Sequence, residues 1–212
     1  MPQLRAAIVP VTPFQQNCAL IWSETSNRGA VVDPGGDVDR IMEAVETTGF
    51  TVEKILLTHG HIDHAGGAAE LKERLGVRIE GPHAADRFLL ERLVDSGRSY
   101  GIADSRNVLP DRWLVEGDQV EVAGNTFSVL HCPGHSPGSV VFVDQEHRFA
   151  LAGDVLFRGS VGRTDLPGGD HQALIRSITT KLLPLGNDVA FICGHGPTST
   201  IGEERTTNPF LL

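Results

Sequence analysis

The stretch THGHIDHAGG, residues 58–67, constrains this chain more than any other. His59, His61, Asp63 and His64 place four metal-ligating side chains within six positions, directly after the apolar run KILLT (54–58). Alternate side chains of an extended strand share a face, so His59 and His61 can reach one cation. Asp63 and His64 lie past the turn and can aim at a neighbouring position. One turn can therefore feed two adjacent metal sites. Imidazole and carboxylate suit zinc or iron at ~2.0–2.2 Å, with manganese a further candidate. Gly60, Gly66 and Gly67 allow backbone to approach closely.

Four ligands do not complete two sites, and the rest of the sequence offers three more. CPGHSPGS places His135 in a Gly/Pro loop after a strand pattern, LAGDVLF places Asp154 at a strand end, and FICGHGPTS places His195 at another. Each polar residue follows an apolar run and stands beside glycine, so one rim of a pair of sheets can gather them all. The other histidines lack that setting: His83, His147 and His171 read as surface residues, and His131, inside a strand pattern, as a packed or supporting group. Asp33, in VVDPGG, reads as a turn-forming aspartate before Pro-Gly-Gly.

Short apolar runs alternate with helical patterns. Strands are predicted at 6–11, 18–22 and 29–33. A helix follows Asp37 as N-cap, with Ile41, Met42 and Val45 on one face and Gly49 as its stop. Further helices are predicted over 68–76, 83–97 and 171–183, the last capped by Asp170, and residues 96–112 read as an irregular surface loop. The second half is strand-rich, with a hairpin turning at Gly124–Asn125, a second around QEH, and a last strand over 189–194. Two β-rich halves with helices outside predict an α/β (α+β) protein, two sheets packed face to face in a four-layer αββα sandwich.

Composition bounds the partners. A net charge of −9 weighs against nucleic-acid backbone binding. No run of ~18 apolar residues predicts a membrane span, and the start MPQLRAAIVPVTPFQQN lacks a basic segment followed by an apolar one. Cys18, Cys132 and Cys193 are an odd, sparse set that reads as reduced, buried thiols in a cytoplasm.

Over its whole length the chain resembles the metallo-β-lactamase fold superfamily, whose H-x-H-x-D-H signature is matched by HGHIDH and whose later motifs are matched in order by CPGHSPG, AGDVLF and GHGP. It looks closest to the small glyoxalase II-like hydrolases, sharing GDVLFRGSVGRTDLPGGD and the ending GEERTTNPFLL. The resemblance implies one domain over 1–212, with His59, His61 and His135 on a first metal, Asp63, His64 and His195 on a second, and Asp154 bridging them around a water or hydroxide. Asp63 and Asp154 are thus ligands and catalytic candidates together. It also implies that Asp33 braces the ligand loop. Full-length glyoxalase II adds a C-terminal helical domain that helps grip glutathione; only 17 residues follow His195, so that domain is not expected here. Arg163 matches a basic residue used near the thiol carrier, with Tyr100 and Arg158 as further substrate-binding candidates.

A metal lowers the pKa of bound water to ~7, and a second can hold a carbonyl oxygen. No protonated general acid stands out, which favours a leaving group that needs none: a thiolate, with a parent pKa near ~8.5, departs unprotonated. The expected reaction is hydrolysis of S-lactoylglutathione or a related acyl thioester. The alternative is a mononuclear iron persulfide dioxygenase, to which GRTD is also similar, using His59, His135 and Asp154. A true β-lactamase is disfavoured because Asp154 stands where that class carries a cysteine or serine. Oligomeric state is left open.

Overall fold

The computed structural model describes residues 4–102 and 104–212; residues 1–3, the start of the segment read for a leader, and Ala103, inside the predicted loop, lie outside the described residues. Strands β1 (Leu4–Val11), β2 (Gln16–Ser23), β3 (Arg28–Val32), β4 (Thr51–Leu56) and β5 (Arg78–Glu80) form one sheet in sequential order. β1 to β3 are antiparallel, and β3, β4 and β5 are parallel, linked by helices α1 (Val38–Thr48), α2 (Ile62–Ala65) and α3 (Ala68–Leu75). The second sheet has the order β13-β12-β9-β8-β7-β6. Its strands are β6 (Gln119–Val122), β7 (Asn125–His131), β8 (Val140–Asp144), β9 (Phe149–Gly153), β12 (Ala190–Cys193) and β13 (Ser199–Thr200). A small hairpin, β10 (Leu156–Phe157) with β11 (Ser160–Val161), and helices α6 (His171–Ser177) and α7 (Ile201–Thr207) complete this half.

The two-residue period of the strands builds the layers. In β2, Cys18 and Leu20 face the helices while Ala19 and Ile21 face the other sheet. In β8, Val140 and Phe142 point between the sheets, and Val141 and Val143 point to the outer helices. Three apolar clusters result: α1 and α3 against the first sheet, sheet against sheet, and α6 and α7 against the second sheet. This is the αββα sandwich. Burial on both faces explains why β8 reads as a continuous apolar run.

Four local expectations need correction. The first hairpin turns at Ala123–Gly124, both with positive φ, and Asn125 already pairs with Val122. Glu53 of β4 accepts the Ala123 N–H at 2.6 Å and pins that register. The helix predicted over 83–97 is a 3₁₀ turn at Ala84–Asp86, one turn of α4 (Arg87–Leu90), then α5 (Leu93–Tyr100), so the supposed loop begins as helix. Asp37 precedes α1, but its carboxylate accepts from the Thr12 N–H at 2.7 Å and leaves the helix uncapped by a side chain. The 171–183 helix widens to a π-helical stretch at Ile178–Leu182 after α6; Asp170 does cap it, accepting from the Ala173 N–H.

Candidate metal centre

β4, β7, β9 and β12 all end on one rim of the sandwich. Each is followed within a few residues by a ligand-type side chain: His59, His135, Asp154 and His195. Backbone bonds lock the rim across both sheets: the Val140 N–H donates to the Thr58 carbonyl at 2.8 Å, and the Asn17 N–H to the Gly194 carbonyl at 2.7 Å. After His59 the chain turns into α2, with His61 at its N-cap, which carries Asp63 and His64 back toward the same point. That turn lies on the Pro34–Gly36 loop so tightly that a Cβ on Gly35 would sit 1.5 Å from the Asp63 carbonyl oxygen.

The seven candidates converge. The ligand atoms of His59, His61 and His135 lie within 4.8 Å of one another, as do those of Asp63, His64 and His195. Asp154 stands between the sets: its Oδ1 is 3.2 Å from His64 Nε2, and its Oδ2 is 3.5 Å from His135 Nε2 and 3.7 Å from His195 Nε2. His61 Nδ1 and His135 Nε2 approach to 2.9 Å, and His195 Nε2 lies 3.2 Å from Asp63 Oδ2.

The outer nitrogens decide which lone pairs face inward. His135 Nδ1 meets the Arg163 carbonyl at 2.8 Å, and His195 Nδ1 meets the Phe14 carbonyl at 3.2 Å. A carbonyl only accepts, so each Nδ1 carries a proton, and in the neutral ring that a metal requires each Nε2 keeps its lone pair. Asp33 sets the other two. It accepts from the Thr58 N–H (2.7 Å), the Thr58 hydroxyl (2.6 Å) and His64 Nδ1 (2.9 Å). With its hydrogen committed to Asp33, the Thr58 oxygen accepts from His59 Nδ1 at 3.1 Å. Asp33 is thus both a turn residue, at φ 51°, and a brace under the ligand loop. Asp33, His59 and His64 also cluster within 4.8 Å, but the Asp33 oxygens already accept three hydrogen bonds, which suits a brace better than a ligand.

Among buried polar side-chain atoms without a hydrogen-bond partner are His59 Nε2, His61 Nε2, His64 Nε2 and Asp154 Oδ1, all at this point. Each such group costs about 1–3 kcal/mol if left unmet. A divalent cation meets imidazole lone pairs and a carboxylate together, so the residues fit a metal. Electrostatics agree. Burial and the neighbouring imidazoles push His59 well below the ordinary histidine range, and burial and His135 take His61 to about 3, leaving both neutral as ligands must be. Burial opposes charge on His64, yet Asp154, Asp63 and Asp33 overcome it and raise its pKa. Burial likewise pushes Asp154 up, but His64, His135 and His195 hold it below the usual carboxylate range. This half of the centre is a negative pocket that attracts positive charge.

The centre opens into a cavity of about 790 Å³. Arg163 and Tyr100 line it; Arg158 does not, and pairs with Glu203 at 3.2 Å. Arg163 is held in a two-pronged ion pair with Asp165 at 2.7 and 2.6 Å. Tyr100 packs edge-on against Phe14, ring centroids 5.8 Å apart. His171 is exposed, and His147 bonds Asp144. His83 is half-buried, against expectation, because it stacks on His131 with ring centroids 4.1 Å apart.

Sequence reasoning missed Asp86. Fully buried, it accepts from the Gly60 N–H (2.8 Å), the Gly138 N–H (2.6 Å) and the Ser136 hydroxyl (2.7 Å), joining the His59–His61 turn to the His135 loop. Burial raises its pKa despite these donors. No local signal marks it, since its partners are 26 to 52 positions away. Also missed was the face of α5 that lines the cavity; its i, i+3, i+4, i+7 spacing was present in the sequence.

The sequence profile of the Metallo-beta-lactamase superfamily matches residues 11–195. The chain belongs to this superfamily. It is 47% identical over 205 residues to hydroxyacylglutathione hydrolase GloC of Haemophilus influenzae, covering 96% of each chain. The fold matches a crystal structure of BLEG-1 B3 metallo-beta-lactamase with TM-score 0.90 and 36% identity, covering 98% of this chain and 99% of that one. It also matches TTHA1623 in a di-iron-bound form with TM-score 0.87 and 42% identity, covering 97% and 100%. The superfamily and the named relative support a metal-dependent hydrolase.

Proposed function

We propose that this chain hydrolyses acyl thioesters of the S-lactoylglutathione type at a two-metal centre. In this reading His59, His61 and His135 hold one metal, Asp63, His64 and His195 the other, and Asp154 both. The carrying observation is the gathering of all seven groups beside one cavity, with an outward hydrogen bond on four of the five imidazoles. The di-iron form of the TTHA1623 relative supports two metals and makes iron a candidate beside zinc. The hydroxyacylglutathione hydrolase relative supports the substrate class. We read the chain as one domain in a cytoplasmic setting; its three cysteines are free and buried, and no helix among the described residues is long and apolar enough to cross a membrane.

Bound divalent metals supply acidity to a coordinated water and polarise a carbonyl oxygen. The chain's own residues do the rest. The Arg163 and Phe14 carbonyls and Asp33 fix the imidazole rings, so the ligand set does not reorganise during turnover. Phe14, Ile62, Phe88 and Leu89 line the cavity beside the centre and exclude water around the acyl chain. Apart from the ligand candidates, the ionisable side chains on the cavity wall are Arg92, Asp95, Tyr100 and Arg163. On the cavity wall, among the described residues, no imidazole or buried carboxyl is left to protonate a leaving group, which suits a thiolate and disfavours an amine.

The iron dioxygenase alternative uses His59, His135 and Asp154 and leaves Asp63, His64 and His195 without a part. The test is one metal-replete preparation assayed for metal content, for S-lactoylglutathione hydrolysis and for oxygen uptake with glutathione persulfide. Two metals and thioester turnover are expected; one iron with persulfide-dependent oxygen uptake overturns the proposal.

A further inference from the structure

We infer that the cavity-facing stripe of α5, anchored by Arg92 and Asp95, reads the charged end of an amino-acid-ended thiol carrier; this rests on the thioester reading above. Arg92, Asp95, Ser96 and Ser99 all line the cavity. They stand at i, i+3, i+4 and i+7 from the N-cap of α5 onward, which is one face of a helix. The opposite face is buried through Leu93 and Gly97. The helix is therefore amphipathic, and its polar, solvent-accessible face borders the open cavity with one cation, one anion and two hydroxyls.

The two arginines of the cavity differ in availability. Arg163 spends its guanidinium on Asp165 in a two-pronged ion pair. Arg92 has no side-chain partner among the described residues. In a chain of net charge −9, an unpaired arginine on a cavity wall is the local attraction a carboxylate needs. The Asp95 carboxylate, three residues on, meets only Arg98 among the described residues, at 3.8 Å and in solvent. An unneutralised cation and a weakly held anion one turn apart complement a group bearing both an ammonium and a carboxylate. They do not complement a phosphate-ended carrier, which Asp95 would repel. The wall from Arg92 to Tyr100 covers eight residue steps, about 12 Å of helix. A tripeptide-sized carrier extends at most roughly 10 Å. It can lie along the stripe with its sulfur toward the metal centre and its backbone against Phe14 and Tyr100.

The test compares the metal-loaded wild type with Arg92→Ala, Arg92→Lys, Asp95→Asn and Arg163→Ala. Substrates are S-lactoylglutathione and S-lactoyl-N-acetylcysteamine, whose carrier is neutral. Binding of S-methylglutathione, a thioether that cannot be hydrolysed, is measured by calorimetry. Arg92→Ala should raise KM for lactoylglutathione about tenfold, the loss of one charge-assisted contact. It should leave kcat within about threefold, leave the neutral thioester unaffected, and weaken S-methylglutathione by a similar factor. Asp95→Asn should weaken both glutathione ligands by about threefold, and Arg92→Lys should restore most of the loss. Equal losses on charged and neutral substrates, or a larger loss from Arg163→Ala than from Arg92→Ala, overturn the inference. A wild type that hydrolyses neither thioester defeats the thioesterase reading instead, and S-methylglutathione binding then still decides the role of Arg92.

Discussion

Replacing Asp86 by alanine tests whether the two ligand loops are held together by one carboxylate. The side chain is fully buried and accepts from two backbone N–H groups and a hydroxyl. Ser136 keeps a second partner, the Ser139 hydroxyl at 2.7 Å, but no other acceptor meets the Gly60 or Gly138 N–H among the described residues. Two orphaned buried donors at about 1–3 kcal/mol each give a loss of ~2–6 kcal/mol. Removing a buried carboxylate also relieves its own desolvation, so the lower half of that range, about 2–4 kcal/mol, is expected. With a urea slope near ~2 kcal/mol per M, the unfolding midpoint of the metal-free protein should fall by about 1–2 M. Because Gly60 lies between His59 and His61, and Ser136 follows His135, metal affinity should fall ~10–100-fold even where the fold persists. Asp86→Asn is the sharper variant: one amide oxygen cannot serve both N–H groups, and its NH₂ must face a donor. It should lose metal affinity with less loss of stability. Urea titration and competition against a chromogenic chelator measure the two effects. A midpoint shift below about 0.3 M with unchanged metal affinity in both variants would refute the argument.

Gly194→Ala should expel metal while the protein stays folded, because a Cβ there would lie 2.0 Å from Asp154 Oδ1 and 2.6 Å from His64 Cε1; elemental analysis and circular dichroism on one sample check this. Asp154→Ala should lose metal and hydrolysis together, whereas His171→Ala, on the surface, should stay within about twofold of wild-type activity, a result read from kcat/KM beside metal content. Burial takes the thiol of Cys132 up to about 12 and that of Cys193 up to about 11, and pushes Cys18 upward as well. Since burial favours the neutral thiol, at pH 8 only roughly one Cys193 in a thousand is thiolate. Iodoacetamide labelling of the native protein should be negligible at pH 8, grow only toward pH 11, and become complete at pH 8 in denaturant. Rapid native labelling at pH 8 would contradict the burial assigned to these thiols.

The legible part of this protein was the part written locally. HGHIDH betrays a centre because two-residue alternation and a glycine-lined turn leave few other uses for four ligand-type side chains. His135, Asp154 and His195 were visible because each stands beside glycine shortly after a strand pattern. The layers followed from doubly buried strands such as β8. What stayed hidden depends on distant partners. Glu53, seventy positions away, moves a turn from Gly124–Asn125 to Ala123–Gly124. Asp37 looks like a cap until the Thr12 N–H claims it. The break between α4 and α5 is a two-residue step at Glu91 and Arg92 that redirects the second helix toward the cavity, and a continuous helical pattern gives no hint of it.

The hydrogen bonds from His135 to the Arg163 carbonyl and from His195 to the Phe14 carbonyl carry an evolutionary consequence. The acceptors are main-chain atoms, while the same two residues line the cavity. Main-chain carbonyls survive every amino-acid replacement. A lineage can therefore exchange the side chains at positions 14 and 163, and with them the molecules it accepts, while each descendant inherits the same imidazole orientation. Selectivity can drift in this architecture without the reactive core being reinvented.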